Sequence, residues 1–230
     1  MIKISSVKEI KSNLNVTKNT LYIFDIDNTI ITTKSNFGPK IDRLKNMRKN
    51  YIDTNEIDQL ISKWRLSREV ILTDAEWPEF LQSIDRPYAL TKIDVGHFGE
   101  IPSIENWRNN ELRNLGIIFN DVCPIDGQTY KQPIEISVEN ATFFNGIFYT
   151  SHALKGDVIK KILSNNKYDL VVFIDDRVEQ LEDVRRGCAE LGVDYLPMQF
   201  VLETENYYIQ SAAEQKSEEK ILKFIASKEV

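Results

Sequence analysis

Two apolar runs in this chain each lead directly into a pair of acidic residues. The first run, YIF, leads into Asp25, with Asp27 two residues on in a DxDxT pattern; the second, VVFI, leads into Asp175 and Asp176. Carboxylates at the mouth of a buried strand are unfavourable unless a cation or hydrogen-bond donors compensate their charge. Mg²⁺ prefers oxygen ligands and needs only one or two protein carboxylates. The pattern therefore predicts an oxygen-rich metal site.

Each acidic pair taken alone also fits a simpler structure. DxDxT is typical of a loop with an Asx-turn, and Asp175-Asp176 is typical of a helix N-cap that follows a strand. Two apolar strands that both end in acids favour a shared site, because the carboxyl ends of parallel strands collect functional groups at one edge of a sheet.

The elements that would position these acids alternate along the chain. Short β-branched and aromatic runs alternate with helical patterns, which is typical of a parallel sheet with crossover helices. The predicted strands are Leu21–Asp25, Tyr88–Thr91, Gly116–Phe119, Leu170–Asp175 and Tyr195–Phe200. The predicted helices are Lys40–Tyr51, Glu56–Arg65, Ala75–Ile84, Ile104–Leu115, Asp157–Leu163, Glu179–Leu191 and a tail from about Ala212. The predicted fold class is a three-layer, Rossmann-like α/β fold with a central, mostly parallel sheet.

With these acids and elements in place, the chain resembles the haloacid dehalogenase superfamily, which is defined by four motifs. Asp25-Ile26-Asp27-Asn28-Thr29 matches the first, and Thr91 matches the Ser or Thr that ends the second strand. Lys155 matches the Lys near the start of a helix, and Asp175-Asp176 matches the fourth motif. The resemblance covers about residues 18–200. Thr91 and Lys155 count mainly through their position, since Lys155 alone is also typical of a solvated lysine that begins a helix.

The resemblance implies phosphoryl chemistry, because true dehalogenases of the superfamily lack an acid at the position of Asp27. It implies that Asp25 attacks phosphorus and forms an aspartyl-phosphate, which splits one difficult step into two. Asp27 would protonate the leaving oxygen and then deprotonate the hydrolytic water. Thr91 and Lys155 would hold the phosphoryl oxygens, with Mg²⁺ as the cofactor that offsets the shared negative charge.

The resemblance also implies a set of metal ligands. These are Asp25, Asp27 through its backbone carbonyl, Asp175 and Asp176. The sequence leaves open which of Asp175 and Asp176 binds the metal directly. Thr29 is expected to hydrogen-bond the turn and hold the two acids before it in place. The two histidines, His97 and His152, are expected at the surface or behind the site.

Composition argues against several other classes of protein. A formal net charge of −6 argues against a nucleic-acid binder that relies on a basic surface. No apolar stretch reaches the length of a transmembrane span, and the first residues do not form a secretory signal. A cytoplasmic location is the default expectation, with reduced thiols at Cys123 and Cys188. The sequence leaves the oligomeric state open.

One domain is expected over residues 1–230. Cap-type insertions are expected at about 31–86 and 92–150, with a hairpin near Thr142–Ser151 and a helical tail from about residue 205. The basic run Lys40–Lys49 is typical of a solvated helix face, and the alternative is that it attracts acidic substrates. Neither insertion is large enough for a roomy lid, so the site is expected to be open to a phosphorylated protein side chain.

A finer resemblance concerns the substrate. The run Phe144–Thr150, followed by Lys155-Gly156, is similar to a subgroup of the superfamily found largely in intracellular bacteria, which includes host-directed effectors. This resemblance implies a protein phosphotyrosine phosphatase that a specialised system secretes into a host cell. Two alternatives stay open: a phosphatase for small phosphorylated metabolites, and a catalytically inactive binding module with the same fold.

Overall fold

A computed structural model describes residues 1–14, 19–34, 38–48, 54–202 and 212–227 of the chain. The strands are β1 Ile2–Ile4, β2 Thr20–Phe24, β3 Ile31–Thr33, β4 Val70–Leu72, β5 Pro87–Thr91, β6 Ile134–Glu135, β7 Thr142–Phe144, β8 Ile147–Tyr149, β9 Leu170–Asp175 and β10 Asp194–Phe200. The helices are α1 Val7–Asn13, α2 Gly38–Arg48, α3 Asn55–Ser67, α4 Trp77–Ser83, α5 Ile104–Arg113, α6 Lys155–Asn165, α7 Val178–Glu190 and α8 Ala212–Ser227.

A sheet of eight strands, in the order β1-β10-β9-β2-β5-β8-β7-β6, forms the centre of the fold. The six strands from β1 to β8 in this order pair parallel with one another, whereas β7 pairs antiparallel with both β8 and β6. β2 and β9 lie side by side in the middle, and all six residues of β9 are buried. Nearly continuous apolar character is what a strand covered on both faces requires. The predicted fold class is therefore confirmed.

Most predicted elements are present with ends shifted by a few residues, but the predicted strand Gly116–Phe119 is wrong. That segment is irregular and follows the end of α5, where the amide of Ile117 donates to the carbonyl of Leu112. It passes the start of β5, since the amide of Asn120 donates to the carbonyl of Pro87. It cannot pair along β5, because both edges of β5 are already paired, with β2 and with β8.

Several short elements were not predicted: α1, β1, β3, β4 and β6 have between two and seven residues each. The hairpin expected near Thr142–Ser151 is confirmed as β7 and β8. Two predicted positions lie outside the described residues: Tyr51 at the end of the predicted helix Lys40–Tyr51, and Lys49 at the end of the basic run. Among the described helices, none is both long enough and apolar enough to cross a membrane.

The chain divides into two compact units. The first unit comprises residues 1–32, 72–95 and 108–203, and it contains the eight-stranded sheet. The second comprises residues 33–71, 96–107 and 204–230, and in it α3 packs against α8. The second unit draws on both predicted insertions and on the tail. The expectation of one domain with cap-type insertions stays a prediction.

Arginine guanidinium groups lie over aromatic rings within the second unit. The guanidinium of Arg65 lies 4.6 Å from the ring centre of Phe98 and 6.0 Å from that of Trp107. Arg68 lies 5.2 Å from the Trp107 ring. Such contacts each contribute roughly 0.5–2 kcal/mol when they are partly desolvated. They join α3 to the segment 96–107 within this unit.

Candidate active site

Three neighbouring parallel strands bring the predicted motif residues to one edge of the sheet. Asp25 follows β2 directly, and its amide donates to the carbonyl of Ile174 in β9 at 2.8 Å. Asp175 is the last residue of β9. Thr91 is the last residue of β5, on the other side of β2, and is buried. The register pairs Ala89 with Phe24, so Thr91 extends toward the same edge as the two acids.

Lys155 joins the two acidic strand ends. Its ammonium Nζ donates to Oδ1 of Asp25 at 2.5 Å and to Oδ2 of Asp175 at 2.7 Å. The side chain is only 1% exposed, so it is not the solvated lysine that its position in a helix start would also allow. Ionic hydrogen bonds of this kind are short and roughly twice as strong as neutral ones. Three of the four predicted motifs therefore meet at one buried ammonium group.

The carboxyl groups around this ammonium outnumber it. Burial raises the pKa of Asp25 well above its ordinary value; Lys155 opposes that rise, while Asp175 and Asp176 add to it. Burial lowers the pKa of Lys155, but the attraction of Asp175 and Asp25 outweighs burial, and the pKa is raised overall. Lys155 is therefore a permanent cation facing three carboxylates. A second cation would relieve the excess of negative charge.

Asp25, Asp175 and Asp176 could hold such a cation. Each offers a carboxylate oxygen, and these oxygens all lie within 4.8 Å of one another. Burial, followed by the charge of Asp175, raises the pKa of Asp176 to about 7. A cluster of hard oxygen ligands in which two carboxyl groups have raised pKa values is suited to a divalent ion such as Mg²⁺, because the ion supplies the positive charge that a proton would otherwise supply.

Asp176 is better placed than Asp175 to be the direct ligand. Both oxygens of Asp175 are already engaged by the protein: Oδ2 accepts from Lys155, and Oδ1 accepts from the amide of Arg177 at 2.8 Å. Asp175 is also completely buried, whereas Asp176 is partly exposed. Asp175 thus orients Lys155 and the start of α7, and Asp176 offers an oxygen within 4.8 Å of one on Asp25. The sequence could not distinguish the two, because they are identical neighbours.

The turn after β2 is held by Thr29 and by an unusual backbone conformation. Asn28 has a positive φ of 61°, which asparagine tolerates better than most residues, and its amide donates to the carbonyl of Ile31 at 2.7 Å. The hydroxyl of Thr29 is buried and lies 3.4 Å from Oδ2 of Asp25, a long hydrogen bond. Thr29 therefore supports Asp25, as its place in the motif predicts.

Asp27 does not join the carboxylate cluster through its side chain. Its two oxygens accept from Nη2 of Arg108, at 3.0 Å from Oδ1 and 2.7 Å from Oδ2. Arg108 lies in α5 and is only 1% exposed, and its Nη1 also donates to Glu111 at 2.6 Å. Nothing in the sequence indicates this contact, because an Arg and a Glu three residues apart in a helix are typical of a solvated pair.

Backbone packing between α6 and α7 fixes the position of Lys155. The amide of Gly156 donates to Oδ2 of the buried Asp183 at 2.9 Å, which satisfies one of the unpaired amides at the start of α6. A Cβ on Gly156 would lie 2.5 Å from the carbonyl oxygen of Asp183, and one on Gly187 would lie 2.5 Å from that of Gly156. Only glycine permits this approach, so the two helices cross with their backbones in contact.

The remaining candidates lie away from this cluster. His97 and His152 are both exposed, in agreement with the surface role expected for them. Cys123 and Cys188 are free and buried, and burial raises the pKa of the Cys123 thiol to about 11. These thiols are therefore poor nucleophiles, and the chemistry of the described residues is concentrated at the strand ends.

Comparison with known families gives a match over nearly the whole chain. The family described as "Protein of unknown function (DUF2608)" matches residues 3–229. The chain belongs to this family. The matched region includes every residue of the strand-end cluster as well as Arg108 and Asp183. No curated protein matches the chain. The DUF2608 description names no activity, so the case for a function depends on the geometry of the site.

Proposed function

We propose that this DUF2608 protein is a Mg²⁺-dependent phosphomonoester hydrolase that acts through an aspartyl-phosphate at Asp25. The observation that supports this most strongly is the pair of short contacts from Lys155 to Asp25 and Asp175, beside a third carboxylate from Asp176. A nucleophilic carboxylate, a fixed ammonium and a place for a divalent ion are the three groups needed to receive a phosphoryl group.

The residues of the chain divide the reaction into two displacements. In the first, an oxygen of Asp25 bonds to phosphorus, the ester P–O bond breaks, and Asp27 gives a proton to the leaving oxygen. In the second, Asp27 takes a proton from water, the water oxygen bonds to phosphorus, and the P–O bond to Asp25 breaks to release phosphate. Lys155 and the hydroxyl of Thr91 would hold the phosphoryl oxygens throughout.

Asp25, Asp176 and the backbone carbonyl of Asp27 would hold the Mg²⁺ ion. Bound there, the ion supplies positive charge against the negative charge that Asp25 and the phosphoryl group share. Asp175 keeps Lys155 ionised and oriented. The donor set is made entirely of hard oxygens, which agrees with Mg²⁺ rather than with a softer metal such as Zn²⁺.

Hydrolysis is expected to depend on this ion. Chelation should abolish turnover of an aryl phosphate, Mg²⁺ added in excess should restore it, and vanadate or beryllofluoride should inhibit as mimics of the phosphoryl group. As a readout independent of activity, Mg²⁺ should raise the melting temperature of the wild type but not of Asp176→Asn. Full activity in chelator would show that the metal assignment is wrong.

The substrate that we propose is an aryl phosphate such as a phosphotyrosine side chain. Leu154 directly precedes Lys155, and Val178 follows Asp176 by two residues; both are exposed, Leu154 at 46% and Val178 at 38%. Exposed apolar side chains close in sequence to residues of the phosphoryl site favour an apolar leaving group over a polyhydroxylated one, because a sugar would gain little from covering them.

This substrate class is tested with matched phosphotyrosine and phosphoserine peptides and a sugar phosphate. We expect the highest kcat/KM for phosphotyrosine. Leu154→Asn should lower that value about tenfold, with Leu191→Asn, equally apolar and 44% exposed at the end of α7, as the control. A clear preference for the sugar phosphate, unchanged by Leu154→Asn, would instead favour the small-metabolite phosphatase.

A further inference from the structure

The position of the Asp27 carboxylate depends on two constraints, one on its backbone and one on its side chain. Its backbone lies in the tight turn after β2, where it bridges to Ile31. That turn fixes where the side chain starts, but the side chain itself is 43% exposed. Arg108 supplies the second constraint, because Nη2 contacts both carboxylate oxygens within 3.0 Å. The residue that must hand over protons is thus held by a group from a distant part of the chain.

A gain in stability does not by itself account for the burial of Arg108. Burying a guanidinium removes most of its hydration, and a buried ion pair often contributes no more to stability than apolar residues of the same volume. Glu111 already offers one carboxylate to Arg108 from the next turn of α5, at 2.6 Å. A second carboxylate, brought from 81 residues away and only half-buried, is more than neutralisation requires.

The contact leaves Asp27 able to react. An ionised carboxylate accepts at about four lone-pair sites, and Arg108 takes one site on each oxygen. A carboxyl group held in this way can still carry, on a site that Arg108 does not use, the proton that passes to the leaving oxygen. Because Glu111 holds the other side of the same guanidinium, Arg108 cannot follow Asp27 into another rotamer. The orientation of Asp27 is therefore set from the packed core and not from the loop that carries it.

We propose that Arg108 is a positioning residue that fixes the Asp27 carboxylate for proton transfer to the leaving group. This rests on the proposed function, since it gives Asp27 the role of general acid. It adds a fifth element, contributed by α5, to the four motifs at the strand ends. A correctly placed general acid accelerates a reaction by roughly 10²–10⁴-fold, and a small error in its placement forfeits part of that gain.

The experiment compares two substrates of matched shape, nitrophenyl phosphate and phenyl phosphate. Nitrophenolate leaves readily without a proton, whereas phenolate needs one, so only phenyl phosphate depends strongly on the general acid. kcat/KM is the quantity to measure, because it reports steps up to loss of the leaving group and not the later hydrolysis of the aspartyl-phosphate. The variants are Arg108→Met, Arg108→Lys, Asp27→Asn and Asp27→Asn with Arg108→Met. Arg113→Met, at an exposed arginine of the same helix, is the control.

We expect Arg108→Met to lower kcat/KM on phenyl phosphate about tenfold more than on nitrophenyl phosphate, and Arg108→Lys to restore part of that difference. In the Asp27→Asn background, Arg108→Met should change the ratio of the two substrates no further, because its effect acts through Asp27. If Arg108→Met folds poorly, the ratio for Arg108→Lys carries the test.

Two results would overturn the proposal, and they differ in what they imply. Equal losses on both substrates in the Arg108 variants, with a wild type that hydrolyses both, would show that Arg108 has only a structural role while the proposed function stands. A wild type that hydrolyses neither substrate in Mg²⁺ would contradict the proposed function itself and, with it, the role of Arg108.

Discussion

Replacing Asp25 with asparagine is expected to lower the turnover of an aryl phosphate by about a thousandfold or more, with the fold preserved. The amide keeps the size of the carboxyl group and an oxygen that can accept from Lys155, which contacts Oδ1 of Asp25 at 2.5 Å. It has no negative charge with which to attack phosphorus, so the first displacement cannot occur. The measurement is kcat with saturating substrate and Mg²⁺, together with the melting temperature.

The matched control for this change is Asp85→Asn. Asp85 is 83% exposed at the end of α4, and losing one surface charge there should leave turnover and stability within error of the wild type. Asp25→Asn with more than about a tenth of wild-type turnover would contradict a nucleophilic role for Asp25.

Replacing Lys155 with methionine is expected to abolish turnover and also to destabilise the metal-free protein by about 3–5 kcal/mol near neutral pH. Lys155 is the ammonium that contacts both Asp25 and Asp175, and all three side chains are buried. Without it, the buried carboxylates of Asp25 and Asp175 and the partly buried carboxylate of Asp176 have no ammonium between them. Methionine keeps most of the volume of lysine, so the loss reports charge and not a cavity.

The loss of stability in Lys155→Met should depend on pH, and the raised pKa of Asp176 determines whether the loss grows or shrinks as pH rises. Burial raises the pKa of Asp176 to about 7 in the folded protein, against about 3.9 in an unfolded chain, and Lys155 holds that pKa down. A group with a raised folded pKa stabilises below its unfolded pKa, and that contribution is lost as pH rises through the folded pKa. Removing Lys155 raises that pKa further, so the deficit of Lys155→Met should grow as the pH rises through about 7 in chelator.

Urea unfolding in chelator at several pH values measures this deficit, and adding Mg²⁺ should recover part of it because the ion supplies positive charge at the same place. Lys160→Met, in the same helix at a lysine whose side chain is 33% exposed and paired with Asp157, is the control and should cost little at any pH. A deficit for Lys155→Met that is small, or that shrinks as pH rises, would contradict the electrostatic account of the site.

The parts of the fold that could be predicted are those where local sequence and burial agree. β2 and β9 are short, mainly apolar runs; β2 leads into Asp25 and β9 ends at Asp175. Such a composition is typical of a strand that is covered on both faces. Lys155 could be assigned only through the order of the motifs, and the structure buries it between the two acidic strand ends. Thr91 likewise stands at the predicted end of β5.

The parts that could not be predicted depend on contacts between distant segments. Arg108 and Asp183 each look like solvated helix residues, and only the packed structure brings them to Asp27 and to the start of α6. Gly116–Phe119 has the composition of a strand, but β5 has no free edge for it. Which neighbours an edge has, and which helix face is covered, are properties of the whole sheet and not of a window of sequence.

The central claim, a phosphoryl group carried on Asp25, is tested most directly by trapping that intermediate. The wild type is mixed with an aryl phosphate and Mg²⁺, and the reaction is quenched in acid during turnover. The protein is then digested, and the peptide that contains β2 and Asp25 is examined by mass spectrometry. We predict that a fraction of this peptide carries one added phosphoryl group on Asp25, and that the corresponding peptide of Asp25→Asn carries none. Turnover with an unmodified Asp25 and a phosphoryl group on another residue would contradict the account.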